Sequence, residues 1–121
     1  MILVDASIWI DHFRTADPRV LMLAATGELG LHPYTLGELM LGGLPAQGGV
    51  LDDFLQLAKP PIASPAEMQA FITWAGLANT GVGYVDAHLL LSARMGGAGL
   101  LTRDKRLHAQ AERLGVAAAF D

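Results

Sequence analysis

A chain of 121 residues has room for a single domain spanning 1–121 and a real core, with little stability to spare. It contains no cysteine, which excludes disulfides, thiolate catalysis and cysteine-held zinc and fits a reducing compartment, so a cytoplasmic protein is expected. The net charge of −4 argues by its sum against a polyanionic partner, and no stretch is long and apolar enough to cross a membrane.

Residues 2–4 read as a short buried strand that stops at Asp5, and 7–14 as a helix. The opening run lacks a basic leader and is read as structure, not as a signal peptide. Asp17-Pro18 is a cap followed by proline at the first helical position, so a helix is predicted over 18–26, closed by Gly27. "LGLH" at 29–32 reads as a weak strand closed by Pro33, 35–42 as a helix ending at Gly42-Gly43, and 48–58 as another. Pro60-Pro61 breaks that helix, and "IAS" at 62–64 reads as a short strand. Ser64-Pro65-Ala66-Glu67 is a capping box opening a helix to about Leu77. "NTGVG" at 79–83 is a loop, 84–95 a strong helix, "GLLT" at 99–102 a buried strand, 105–114 a helix ended by Gly115, and "VAAAF" at 116–120 the last strand.

Strands alternating with helices predict an α/β fold with a parallel sheet of four or five strands. Apolar residues make up 52% of the chain with fourteen glycines besides, above the usual roughly 45–50% for both together. Such an excess suits a sheet covered on both faces, with the remainder as partner surface.

Most acids fall where acids are ordinary. Asp11, Asp17, Glu28, Asp52, Asp53, Glu67, Glu112 and Asp121 sit at caps, exposed helix faces or termini. Four do not. Asp5 and Asp104 follow predicted strands, where an open parallel sheet binds its ligands. Glu38 has Leu41 and Gly42 on its helix face, and Asp86 shares a stripe with Leu89, Leu90 and Ala93 in the first turn of its helix. Each has a plain alternative: a helix cap for Asp5, Asp86 and Asp104, a partly exposed position for Glu38. Together they can converge above one edge of the sheet. Carboxylates sharing a pocket repel one another, hard divalent cations relieve that repulsion, and oxygen-only ligands favour Mg²⁺ or Mn²⁺. With those four acids neutralised, the remaining acids equal the eight basic residues, so the net charge no longer excludes RNA. Arg103, Lys105 and Arg106 form the densest basic cluster and are candidates for holding phosphates, against the plain reading of a solvated helix start.

The ordered stretches "ILVDASIWIDHFR", "LGELMLG", "GYVDAHLL" and "LLTRDKRL" cover nearly the whole chain and resemble the PIN-domain ribonucleases, more narrowly the VapC toxins of bacterial toxin–antitoxin pairs. The resemblance implies a three-layer α/β/α fold, endoribonuclease activity dependent on Mg²⁺ or Mn²⁺ with water activated by the metal, homodimerisation, and inhibition by a cognate antitoxin. It places the family's four acids on Asp5, Glu38, Asp86 and Asp104, with Asp5, Asp86 and Asp104 holding metal and Glu38 holding a second ion or orienting the water. It places a supporting serine on Ser7 and a supporting hydroxyl on Thr102. Ala6 stands where a threonine is common, which removes no ligand.

His12, His32, His88 and His108 have no compact zinc-site spacing and read as structural or exposed. The aromatics read as core, with Trp74 and Tyr84 the least determined. Selectivity for RNA is therefore expected from shape and phosphate contacts. Three rivals stand beside the nuclease. An aspartyl phosphatase wants Asp-x-Asp after its first strand, and here the run is Asp5-Ala6-Ser7. A receiver-like signalling domain would need a phospho-accepting Asp after a central strand, and Asp52-Asp53 lie inside a helical pattern. A catalytically silent PIN-like interaction module would not need the complete acid set.

Overall fold

Ile2, Leu3 and Val4 pair as a parallel strand, β1 (Ile2–Val4), and the change from apolar to Asp5 ends it and starts a helix, α1 (Ala6–Arg14). In this computed structural model, which describes residues 1–44 and 49–119, there follow α2 (Pro18–Thr26), β2 (Leu29–Gly30), α3 (Pro33–Leu41), α4 (Val50–Leu55), α5 (Pro65–Ala75), α6 (Tyr84–Gly96), β3 (Gly99–Leu101) and α7 (Lys105–Arg113). The strands lie in the order β2-β1-β3, all parallel, with Ile2 opposite both Leu29 and Gly99.

Successive strand residues point to opposite faces. Leu3 and Leu100 join one apolar cluster with Met68 and Phe71 of α5, Leu89 and Leu90 of α6 and Leu107 of α7. Val4 and Leu101 join the other, with Ile8 and Trp9 of α1, Val20 of α2, Leu36 of α3 and Phe54 of α4. Helices thus cover both faces of the sheet, the α/β/α layering that the apolar excess calls for.

Among the described residues three strands stand where four or five were expected. Beyond β2 the pairing continues as a single parallel bridge from Gly30 to Ala58. Lys59 is then followed by Pro60 and Pro61, which have no N–H to extend a ladder, and 62–64 pairs with nothing before Ser64 caps α5. Beyond β3 the expected strand at 116–120 reduces to one bridge from Leu100 to Ala117, made by Leu100 N–H to Val116 O (2.7 Å) and Ala118 N–H to Leu100 O (2.9 Å). Phe120 and Asp121 lie outside the described residues.

Local chemistry sets the helix starts. Ser64 and Glu67 form the reciprocal capping box. Asp17 caps α2, with Pro18 in its first turn and Gly27 closing it at φ 73°. α3 begins at Pro33, two residues before the predicted start, because Nδ1 of His32 accepts from Tyr34 N–H (3.0 Å) and serves as its cap. α4 runs only from Val50 to Leu55, inside the predicted 48–58, and Gly48 lies outside the described residues.

The central strand carries the packing, so Leu3→Ala, at a site with no solvent exposure, should cost about 2–5 kcal/mol. Urea unfolding should show a lower midpoint at unchanged slope. A shift too small to resolve would mean that β1 is not the packed centre of the sheet.

Candidate active site

Asp5 is buried at the carboxyl end of β1, and its carboxylate is fully engaged. Oδ1 caps α1 by accepting from Ile8 N–H (3.2 Å) and also accepts from the Ser7 hydroxyl (2.6 Å). Oδ2 accepts a short hydrogen bond from the Thr102 hydroxyl, just past β3. Both hydroxyls accept in turn from the neighbouring loop: Ser7 Oγ from Arg103 N–H (3.2 Å) and Thr102 Oγ1 from Asp104 N–H (3.0 Å). Two hydroxyl relays therefore fasten the loop after β1 to the loop after β3. A buried carboxylate supplied with donors in this way avoids the cost of an unpaired one.

The other three acids arrive from different elements. Asp104 caps α7, Oδ1 accepting from Arg106 N–H (2.9 Å) and Leu107 N–H (3.0 Å), and its side chain is exposed. Asp86 is half-buried in the first turn of α6. Burial pushes its carboxyl up to about 6, and the charges of Asp5, Glu38 and Asp104 push the same way. Glu38, on the exposed side of α3, is raised by burial and then by Asp5. The four carboxylates thus share one field, and Asp86 sits where the other three are felt together. They sense one another without closing into a cage: among the described residues no three His, Cys, Asp or Glu side chains approach closely enough to grip one ion. The cap alternatives for Asp5 and Asp104 are also real, since each caps a helix and borders the cleft.

The donors fit a hard cation. They are oxygen only, and their mutual repulsion is what a divalent charge relieves.

The basic cluster is less free than the sequence suggests. Arg103 Nε pairs with Asp11 (2.9 Å), so Asp11 is no idle surface acid. The stem of Arg106 lies against Gly81, where an added Cβ would meet its Cδ at 2.7 Å, at φ +83°. Lys105 is exposed, and a cavity of about 330 Å³ beside Thr102 is lined by Arg103, Lys105, His108 and Glu112. Asp52 and Asp53 lie in the first turn of α4 and not at the carboxyl end of a strand, which removes the receiver-like arrangement.

Burial divides the aromatics differently from the sequence reading. Trp9 is buried, but Phe13 (47%), Tyr34 (41%), Trp74 (63%) and Tyr84 (55%) are exposed. Arg94 covers the Trp74 ring, 4.5 Å from its centroid. His32 and His88 are buried, and burial lowers both, His32 to about 4, so both rings are neutral. His32 Nε2 faces Ser92 Oγ at 3.2 Å, while Nδ1 of His88 has no partner among the described residues. Tyr34 and Tyr84 pack edge-on against His88. The sequence carried no sign of this, because the contact joins the starts of two helices fifty residues apart.

Comparison with known proteins sets the cleft in context. Residues 2–113 match the model of the PIN domain family. Two curated relatives, each named Ribonuclease VapC32 and from the CDC 1551 and H37Rv strains of Mycobacterium tuberculosis, are 44% identical over 98% of this chain and 97% of their own. The crystal structure of PAE2754 from Pyrobaculum aerophilum superimposes with a TM-score of 0.59 over 94% of this chain and 88% of that one, at 19% identity, a likeness of fold.

The raised Asp86 carboxyl has a defined consequence for stability. Its pKa is higher folded than unfolded, so the folded chain keeps a proton that the unfolded chain loses above about pH 4. That contribution is present at low pH and lost as pH rises through about 6, and Glu38 adds in the same direction. The metal-free protein should melt at a lower temperature at pH 7 than at pH 5, and Asp86→Asn should flatten this slope and raise the pH 7 midpoint. Equal slopes in the two proteins would show that folding does not raise the Asp86 carboxyl. Separately, Thr102→Val strands Asp5 Oδ2 and Asp104 N–H and should cost about 1–3 kcal/mol by urea unfolding, with Thr102→Ser recovering most of it.

Proposed function

The chain belongs to the PIN-domain family, in its VapC branch, and on that premise we propose that it is a metal-dependent endoribonuclease acting as the toxin of a toxin–antitoxin pair. What supports this reading is the match to the PIN domain family over residues 2–113, together with a half-buried Asp86 raised first by burial and then by the charges of Asp5, Glu38 and Asp104. Four carboxylates from four elements in one field are costly to a fold and useful to a hydrolase that works with a cation.

Asp86 and Asp104 offer oxygens to Mg²⁺ or Mn²⁺, Asp5 completes the ring of charge from its buried position, and Glu38 lies at the rim to orient water or a second ion. The ion when bound lowers the pKa of its water and offsets charge on the phosphate in flight. The chain's own residues hold the parts in place. Ser7 and Thr102 fix both oxygens of Asp5, and through Thr102 they fix the backbone at Asp104. Lys105, and Arg103 once released from Asp11, neutralise flanking phosphates. Because water is the nucleophile, the RNA 2′-hydroxyl has no covalent part, and the products carry 5′-phosphate and 3′-hydroxyl ends. Among the described residues no helix is long and apolar enough to cross a membrane, which accords with action on RNA in the cytoplasm.

The partner reading also has support. A groove of about 470 Å³ between α1, α2 and α4 is lined by Trp9, Phe13, Val20, Leu21 and Phe54. Phe13 also borders a second cavity, of about 290 Å³, that reaches Glu38. An amphipathic antitoxin segment seated in the groove would have the acidic cleft within reach of one basic side chain. Leu41, at 92% exposure, and the remaining apolar surface suit a homodimer.

With Mg²⁺ or Mn²⁺ the protein should cleave RNA and stop in excess EDTA. Asp86→Asn should lower cleavage by more than about 100-fold, beyond the roughly 10–100-fold typical of supporting residues, for which Thr102→Val is the comparison. Asp52→Asn is the control; Asp11→Asn is unsuitable because it frees Arg103. End-labelling of the products reads the chemistry, and cyclic 2′,3′-phosphate ends or undiminished cleavage in EDTA would contradict the proposal.

A further inference from the structure

The cleft has two flanks of different chemistry. In strand order β2-β1-β3, Asp5 sits at the middle strand's end, with the start of α7 on one side and the start of α3 on the other. The α7 side carries Arg103 and Lys105. The α3 side has Arg14 at the cavity that reaches Glu38. It carries Tyr34, one helical turn before Glu38, and beside it Tyr84, two residues before Asp86.

These two rings are held alike. Tyr34 meets His88 edge-on with centroids 4.6 Å apart, Tyr84 meets it edge-on at 4.8 Å, and His32 backs Tyr34 at 4.9 Å. Each tyrosine nevertheless leaves about half its surface open, 41% and 55%, although a packed seam between α3 and α6 could have buried them. Between them His88, only 2% exposed, keeps an Nδ1 that no group among the described residues satisfies. Buried polar atoms are normally paired, so this one marks a seam that protein packing alone does not complete.

We propose that Tyr34 and Tyr84 form a seat for one unpaired RNA base next to the cleaved bond, while the phosphates run toward Arg103 and Lys105. The proposal rests on the ribonuclease reading and adds a specificity determinant to it: the cut falls beside an unstacked base. Proteins read RNA sequence mainly where bases are unpaired and can stack on aromatic rings. Rings already fixed by His32 and His88 lose little freedom when a base arrives. The cationic flank holds any RNA, and the tyrosine flank selects a nucleotide that can leave its stack.

Short unpaired RNAs carrying 2-aminopurine at one position at a time test this. They are mixed with the full chain and Mg²⁺, fluorescence is read in the first mixing phase, and cleavage is followed in the same samples. Wild type and the paired Tyr34→Phe, Tyr84→Phe variant should quench one position, adjacent to the cut. The paired Tyr34→Ala, Tyr84→Ala variant should not, and should bind RNA about 5- to 150-fold more weakly, the range for one lost stack. An abasic nucleotide at that position should weaken wild type by the same factor and the alanine pair by less than about twofold. The abasic arm needs no variant, so loss of folding cannot mimic the result. Cleavage without a tyrosine-dependent position would overturn the seat and leave the nuclease reading intact. Tyrosine-dependent quenching without cleavage would support the seat and overturn the nuclease reading.

Discussion

The Asp5 carboxylate is the joint on which the cleft is hung. It ends the central strand, caps the helix that follows, and takes hydroxyl donors from both its own loop and the loop after β3. Those hydroxyls accept from the amides of Arg103 and Asp104, so the position of the fourth acid is set through the first. The three-layer fold makes this joint possible by placing the carboxyl ends of neighbouring parallel strands side by side. One buried carboxylate thereby ties a helix start to two loops, and removing any of its donors loosens that joint.

The remaining acids are held against their own repulsion. Asp86 lies on α6, whose other faces are packed against the sheet, so it cannot swing away from Asp5, Glu38 and Asp104 without disturbing the core. Burial raises its carboxyl, and the neighbouring charges add to that rise. Folding energy from the two apolar clusters is set against electrostatic strain at the cleft, as happens where a site is built to receive a charge of opposite sign. Surface acids such as Asp17, lowered by its hydrogen bonds with Arg19, show the reverse sign and no strain.

Much of this was legible in the amino-acid order because it depends on local contrasts. A carboxylate at or shortly past the end of an apolar run marks a strand end, which singles out Asp5 and Asp104, and a carboxylate on a stripe of leucines marks Asp86. The capping box at Ser64 and the Asp17-Pro18 start are local in the same sense. Sheet extent was not local. Pro60-Pro61 was read as a helix breaker, and its further effect, denying the edge a donor for pairing, appears only once Ala58 is placed beside Gly30. The Asp11–Arg103 pair and the Tyr34–His88–Tyr84 contact each join residues far apart in the chain. Burial of aromatics was misjudged because apolar composition does not say which side of a helix a neighbour covers.

The proposed nuclease function requires Asp5, Glu38, Asp86 and Asp104 to serve one cation. Paramagnetic broadening by Mn²⁺ tests it directly. In an isotope-labelled sample, substoichiometric Mn²⁺ should broaden together the amide signals of residues around Asp5, Glu38, Asp86 and Asp104, while those around Asp52 and Asp53 remain sharp. Broadening led by Asp52 and Asp53, or spread over surface acids without preference for the cleft, would contradict the account.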